Sequence, residues 1–154
     1  MQNSGIIFLD IQGVGKKYSD QEGLGILEHL KKANPAQVIV AFSGHSFDLS
    51  KNRFWQLADD SLCKPVQATK CKELIDDIIK TRLNPKHYWS CVYQLLLNQG
   101  YSARNIKKLE DKVYSAIEKK DQRDIHALIN SCIDKTEIAA KVGAVALKIC
   151  ALIP

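Results

Sequence analysis

Three short apolar runs stand in the first half of the chain, and a polar residue ends or follows each of them. Continuous β-branched runs of this length are typical of buried strands in a parallel sheet. The polar residues are a carboxylate, a hydroxyl and an ammonium, carried by Asp10, Ser43 and Lys64. Because ligands bind outside the carboxyl ends of parallel strands, we expect these side chains to meet there. Such a group could receive a phosphoryl group, with Asp10 as nucleophile, Ser43 as donor to a phosphoryl oxygen and Lys64 as counter-charge.

The segments between the apolar runs have helical periodicity, so the first half of the chain predicts an α/β fold. We expect a three-stranded parallel sheet in the order β-α-β-α-β-α, with right-handed crossovers. The predicted strands are 5–10, 38–43 and 61–64, and the predicted helices are 23–34, 49–58 and 67–83. The last of these helices would turn four apolar residues inward, namely Leu74, Ile75, Ile78 and Ile79.

From Asn84 onward the sequence predicts about four helices and no strand. Asn84 and Pro85 are an N-cap and a first helical residue, and Ser102 can cap the second helix. A third helix is predicted at 122–133, and Thr136 opens the fourth. The fourth has an apolar stripe at alternating spacings of four and three, a helix-pairing seam, formed by Ile138, Val142, Val145, Ile149 and Leu152. We therefore divide the chain into a partial α/β domain at 1–83 and a helical extension at 84–154, for packing or dimerisation.

Composition is that of an ordinary globular protein, with 45% hydrophobic and 25% charged residues among 154. The net charge of +5 is mildly basic, and because charges of both signs alternate along helices it favours a solvated surface over nucleic-acid binding. Five cysteines without metal-binding spacing predict reduced, mostly buried thiols. The apolar runs are too short for a secretory signal or a bilayer span, so we expect a cytoplasmic protein without membrane contact.

Residues 6–83 resemble the second half of a response-regulator receiver domain, which has a flavodoxin-like fold. The run LDIQGVG…EGLGILEHLKK resembles the phosphoacceptor strand and its following helix, and VIVAFSGHS resembles the next strand. LADDSLCKPV resembles the segment that carries the family's lysine and proline. The three motifs stand in the family's order and spacing and cover about half of the chain, whereas the helical tail has no recognised counterpart.

The resemblance implies a role for each matching residue. Asp10 would be the phosphorylated aspartate, Ser43 the switch hydroxyl, and Lys64 the partner of the acyl phosphate. Pro65 would follow a cis peptide bond. The resemblance also implies that Gly44 leaves room for the phosphoryl group.

Two further positions, Gln12 and His45, correspond to variable residues that influence dephosphorylation in the family. The backbone carbonyl of Gln12 would be a magnesium ligand beside Asp10. The family's acidic pair, which holds Mg²⁺, has no counterpart in this sequence, and the Asp59-Asp60 pair would lie at the opposite end of the sheet. Because magnesium needs several oxygen ligands, we expect weak metal binding, weak or lost phosphorylation, and at most self-phosphorylation at Asp10.

The strands that precede the phosphoacceptor strand in the family are also unmatched. Strand 5–10 would therefore expose an apolar edge, and such edges are rarely left unpaired. Three arrangements would cover it: the same strand of a second copy, the C-terminal helices folding back, or a longer protein of which this chain is a fragment. We favour a homodimer through this edge, with the helical extension contributing.

Two other functions are compatible with parts of the sequence. FLDIQGVG also resembles the first motif of haloacid-dehalogenase-type phosphatases, but the general-acid position is Gln12, which cannot act as an acid. Residues 99–106 resemble part of a helix-turn-helix motif, and in that case the helical tail would be a DNA-binding output domain. Against it, residues 102–120 show no internal turn. The preferred prediction is a bacterial two-component signalling or scaffold protein, a degenerate receiver acting through protein contacts, with a histidine kinase or another signalling protein as partner.

Overall fold

A computed structural model describes residues 5–12, 14–15, 22–44, 52–119 and 122–153, with no side chains described at 122–124. The elements in chain order are β1 (Ile6–Asp10), α1 (Gly23–Ala33), β2 (Val38–Ser43), α2 (Asn52–Leu57), β3 (Asp60–Cys63), α3 (Ala68–Thr81), α4 (Pro85–Asn98), α5 (Ala103–Glu118), α6 (Gln122–Cys132) and α7 (Thr136–Leu152). Contacts divide the described residues into two compact units. One is the α/β unit, drawn from residues 1–33 and 37–80, and the other is the helical unit, drawn from 34–36 and 81–154.

The α/β unit contains the parallel sheet that the sequence predicts. Its order is β1-β2-β3, and both pairs of strands are parallel. Asp10 is the register partner of Phe42, and Ser43 is the partner of Cys63. The third strand begins one residue earlier than predicted, at Asp60, while the amide of Lys64 still donates to the Ser43 carbonyl at 2.7 Å. The α/β architecture with a helical extension is thus confirmed.

One face of the sheet packs against α1 and α2. Leu9 and Ile11 from the first strand and its end join Ile39 and Ala41 of β2, and all four are buried. The helices add residues that are almost fully buried, Leu27 of α1 and Phe54 of α2. Because side chains alternate along a strand, this face takes every second residue, and the site residue Asp10 belongs to the other face.

The third helix buries less than the sequence predicts. Ile78 is 1% exposed, whereas Ile79 is 51% exposed and Leu74 and Ile75 are half-buried. The prediction that Ile79 points inward is therefore wrong. Consecutive residues of a helix are about 100° apart around its axis, so a single narrow contact buries Ile78 and leaves its neighbour in solvent.

A second ion pair, between Lys31 and Asp59, stabilises the end of the sheet opposite Asp10 and Lys64. The Lys31 ammonium donates to the Gln37 carbonyl at 2.8 Å and to the Asp59 carboxylate at 2.6 Å. The same carboxylate accepts the backbone N–H of Ile39 at 2.8 Å. Both charged side chains are largely buried, 18% and 14% exposed, and they tie α1, β2 and the start of β3 together. Asp59 thus lies at the opposite end from Asp10, where the sequence places it.

The helical unit has its own core, contributed by α4 to α7 and by Ala36. The predicted caps are present, since the Asn84 side chain accepts the His87 N–H and Ser102 accepts the Asn105 N–H. α7 buries most of its predicted stripe, but Leu152 is 43% exposed. Leu152 is the last residue of the helix, so the seam ends one turn before the helix does.

Five free cysteines are described. Cys63 is exposed and the other four are half-buried, so the prediction of mostly buried thiols is wrong. Three of the half-buried cysteines, Cys91, Cys132 and Cys150, pack against the margin of the helical core. Among the described residues, no helix is long and apolar enough to cross a membrane.

Candidate functional site

Asp10 and Lys64 form an ion pair at the carboxyl edge of the sheet. Asp10 is the last residue of β1, and Lys64 follows β3 directly. The Lys64 ammonium donates to the Asp10 carboxylate across the end of the central strand. The two side chains are 31% (Asp10) and 38% (Lys64) exposed, so water reaches the pair. Residues 54 positions apart are thereby joined because their strands run in the same direction.

The Asp10 carboxylate is held in its ionised form. Its hydrogen bond to Lys64 lowers the pKa below the ordinary 3.8, although partial burial raises it. The backbone N–H of Gln12 donates to the other carboxylate oxygen at 3.2 Å and lowers the pKa further. Hydrogen bonds to the charged form explain this direction. Asp10 is therefore an anion over the physiological pH range.

The Lys64 ammonium also lies over the aromatic ring of Phe42, 4.6 Å from its centroid. A cation over a ring face is attracted by the π electrons. Phe42 is the register partner of Asp10 on the neighbouring strand, so the ring and the carboxylate hold the ammonium from two sides. The sequence-based expectations gave no role to Phe42. This residue stands directly before Ser43, on the face of the sheet shared with Asp10, and that position could have indicated its contact with Lys64.

Ser43 is the last residue of β2, and the register of the sheet places it. It is 5% exposed and is the partner of Cys63, one position beyond the Asp10–Phe42 pair. Alternation along β2 puts the Ser43 side chain on the face opposite Phe42. Its backbone carbonyl accepts the Lys64 N–H, which fixes the start of the lysine segment. The role expected of the Ser43 hydroxyl, which is to donate a hydrogen bond to a phosphoryl oxygen, stays a prediction.

Gly23 brings the N-terminus of α1 against the end of β1. A Cβ atom at this position would lie 2.4 Å from the Asp10 carbonyl oxygen and 3.0 Å from that of Ile11. Only a residue without a side chain permits this approach. The sequence analysis did not single out Gly23. A glycine at the first position of a helix, where other residues are preferred, was the available signal.

The modulating positions are only partly within the structure. The Lys64–Pro65 peptide bond is cis, as the resemblance implies. No described atom lies within 4 Å of the Cβ position of Gly44. Gln12 contributes the amide contact already described. His45 lies outside the described residues. The modulating roles of all four stay predictions.

The magnesium site that the resemblance implies stays a prediction. Asp10 supplies its carboxylate, and both carboxylate oxygens accept hydrogen bonds, from Lys64 and from the Gln12 amide. Within the described part of the chain, no group of three or more potential His, Cys, Asp or Glu ligands occurs. Hard divalent cations require several oxygen ligands, which is why the prediction is weak binding.

No protein-family model matches the chain, and no curated protein matches it. Among solved structures, the chain is similar to NtrX from Brucella abortus, whose crystal structure was determined in complex with ADP. The TM-score is 0.41, and the sequences are 19% identical over 73% of this chain. The match covers 24% of the NtrX chain, so the matched part of this chain spans about a quarter of that protein's length.

Proposed function

We propose that this chain is a receiver-like signalling or scaffold module that acts through protein–protein contacts. In this proposal the Asp10–Lys64 ion pair stays intact both in the free protein and when the protein binds a partner. Phosphorylation at Asp10 is weak or lost because the acidic pair that binds Mg²⁺ in the receiver family has no counterpart in the sequence. The ion pair at the carboxyl edge of a parallel sheet is the observation that supports this function.

The charges around Asp10 give the physical reason. A phosphoryl group on the Asp10 carboxylate adds negative charge, and Lys64 is the cation that the described residues place against this carboxylate. Phosphoryl transfer depends on cations that neutralise the developing charge. Magnesium binding is proposed to be weak because the family's acidic pair has no counterpart in the sequence. An exposed ion pair, by contrast, persists without any cofactor, although water screens it.

Acetyl phosphate with Mg²⁺ tests this function directly. The full chain is incubated with both, and intact mass is measured for the wild type, Asp10→Asn and Asp76→Asn. Asp76 is a matched control because it forms an exposed ion pair with Lys72 on α3. We expect little or no gain of a phosphoryl group in any of the three proteins.

Two outcomes would contradict the proposal. Stoichiometric phosphorylation that Asp10→Asn abolishes and Asp76→Asn retains would establish a working phosphoacceptor. Steady hydrolysis of a phosphate ester that depends on Asp10 would instead indicate the phosphatase alternative. The absence of an acid at Gln12 argues against hydrolysis, because the leaving group needs a proton.

The partner that we propose for the sheet is a second copy of the chain. Among the described strands, β1 pairs only with β2, so its other edge carries no described partner. Phe8, in the middle of β1, is 42% exposed. An apolar edge strand favours pairing with another strand, and antiparallel pairing about Phe8 makes the edge complementary to itself. A histidine kinase or another signalling protein is the further partner in this proposal.

The solution mass tests the dimer. We expect twice the 17.3 kDa chain mass for the wild type by light scattering, and the monomer mass for Phe8→Lys. Leu97→Lys is the matched control, since Leu97 is a 37% exposed apolar residue of α4. A monomeric wild type would reject the dimer. Dissociation by Leu97→Lys and not by Phe8→Lys would move the contact to the helical unit.

The DNA-binding alternative meets a mixed charge pattern on α5. Residues 99–102 separate α4 from α5, so a helix, a short turn and a second helix follow one another there. The exposed lysine Lys107, however, is paired with carboxylates, at 2.9 Å from Glu110 and 3.2 Å from Asp111. Pairing with carboxylates reduces the positive charge that this lysine offers to phosphate.

A further inference from the structure

A groove of about 740 Å³ lies between α5 and α6, within the helical unit. Lys112 and Ser115 of α5, with Lys119 directly after the helix, line one side of it. These residues are three and four positions apart, so they share one face of the helix. The volume falls in the range that small-molecule sites occupy in proteins.

The α5 side of the groove presents donors and positive charge. The ammonium groups of Lys112 and Lys119 make no ion pair or hydrogen bond with any described side chain, and both residues are exposed. Two helical turns separate them, about 10 Å along the axis. The Ser115 hydroxyl lies between them and is also exposed. The acidic lining residue, Asp111, shares the Lys107 ammonium with Glu110, at 3.2 Å and 2.9 Å respectively.

The floor of the groove is apolar and shallow. Ala116, Ala127 and Leu128 contribute to it, and two of these three side chains end at Cβ. Ser131, on the α6 side, donates its hydroxyl to the Leu128 carbonyl at 2.7 Å, so it can only accept from a ligand. A flat or small apolar group could lie on this floor while its charged part reaches the lysines.

We propose that the groove binds a phosphate-bearing small molecule. Its phosphoryl oxygens would lie over Ser115, between the Lys112 and Lys119 ammonium groups, and an organic part, where the molecule has one, would lie over Ala127. Phosphate suits the site because it accepts several hydrogen bonds and carries the charge that complements two lysines with no ion pair to a described side chain. The occupant is either a nucleotide or an inorganic phosphate chain, which share this chemistry.

Isothermal titration of the full chain at low salt, without divalent metal, tests the proposal with two probes, pyrophosphate and ATP. Lys112→Gln/Lys119→Gln removes both cations from the groove. Lys70→Gln/Lys86→Gln is the matched control, because it removes the same charge from exposed lysines of α3 and α4. We expect saturable binding that weakens about tenfold or more in the groove variant and changes little in the control.

A third variant separates the two sources of phosphate. Ala127→Leu narrows the floor without changing charge. If the occupant is a nucleotide, ATP binds more tightly than pyrophosphate and Ala127→Leu weakens ATP alone. If it is an inorganic chain, the two probes bind alike and Ala127→Leu has no effect.

Two results would overturn the proposal. One is the absence of saturable binding of either probe at millimolar concentration. The other is equal weakening by the groove variant and by the control, since that would indicate attraction by net charge alone. Circular dichroism of each variant establishes that the helices are intact. Amide chemical shifts that move at residues 112–119 on ligand addition then locate the bound molecule.

Discussion

The pKa of the Asp10 carboxyl group depends on Lys64, a residue far away in the chain. Two hydrogen bonds to the ionised form lower the pKa of Asp10, and the larger effect comes from Lys64. Neither partner is deeply buried, so the pair sets the charge of the site more than it stabilises the fold. At the residue scale, the chemistry of the site therefore rests on Lys64.

Replacing Lys64 by methionine should raise the pKa of Asp10 toward the ordinary 3.8. The reason is that the hydrogen bond from Lys64, which lowers this pKa most, is lost. The side-chain carbon resonance of Asp10, followed by NMR during acid titration, measures this change. Lys72→Met is the control, since Lys72 pairs with Asp76 and should leave the pKa of Asp10 unaltered.

The lowered pKa of Asp10 makes the free energy of unfolding decrease as the pH falls into the acid range. A carboxyl whose pKa is lower in the folded state stabilises the protein above its unfolded pKa, here near 3.8. That contribution is lost as the pH falls through the folded pKa. Lys64→Met should therefore lose less stability than the wild type as the pH falls below about 4. An identical acid dependence in both proteins would contradict the role of Lys64.

Gly23→Ala should destabilise the chain by about 1 to 3 kcal/mol, because its Cβ would overlap the Asp10 carbonyl oxygen and backbone cannot easily give way. The free energy of unfolding in urea measures the cost. Gly44→Ala is the matched control, since no described atom lies within 4 Å of its added Cβ, and it should change stability by less than about 0.5 kcal/mol. Equal effects of the two substitutions would mean that the helix start can move away from β1.

At the element scale, the sheet is held at its two ends by different means. The carboxyl end carries the exposed Asp10–Lys64 pair, and the amino end carries the largely buried Lys31–Asp59 pair. Asp59 accepts both the ammonium of α1 and an amide of β2. The second pair is therefore structural, since it joins three elements and satisfies a strand N–H.

Asp59→Ala should lower the free energy of unfolding by about 2 to 3 kcal/mol, because it leaves Lys31 largely buried without its counter-charge and the Ile39 N–H without its acceptor. Urea denaturation measures the loss. Asp76→Ala is the comparison, since its ion pair with Lys72 is exposed, and stability should be almost unchanged. A small effect at Asp59 would show that water replaces its contacts.

At the scale of the whole molecule, the described residues form two cores that share no residue. Leu27 belongs to the core of the α/β unit and Val142 to that of the helical unit. The two tryptophans divide in the same way, since Trp55 packs against the first core and Trp89 is part of the second. Each unit therefore contains its own fluorescent reporter.

Leu27→Ala should shift the urea midpoint reported by Trp55, and Val142→Ala should shift the midpoint reported by Trp89. Both side chains are 0% exposed, and their truncation should cost about 2 kcal/mol or more within their own core. Each substitution is made in two backgrounds, Trp89→Phe and Trp55→Phe, so that one reporter is followed at a time. If both reporters shift equally with either substitution, the two units unfold as one.

The sequence by itself determined the local structure of this protein. Short β-branched runs and helical stripes predicted the element order, and Asn84, Pro85 and Ser102 marked helix starts that the structure confirms. These features depend on backbone geometry and on neighbours within a few positions, so they can be read from the order of residues. The convergence of Asp10 and Lys64 also followed, because parallel strands bring their ends together.

Only the tertiary structure decided what surrounds each side chain. Ile79 and Leu152 fit their apolar stripes yet are exposed, because the width and length of a helix contact depend on what packs against it. Phe42 holds Lys64, and Gly23 admits α1 against β1, through contacts between segments distant in the chain. Burial and contact across such distances arise from packing in three dimensions, which periodicity along one segment does not encode.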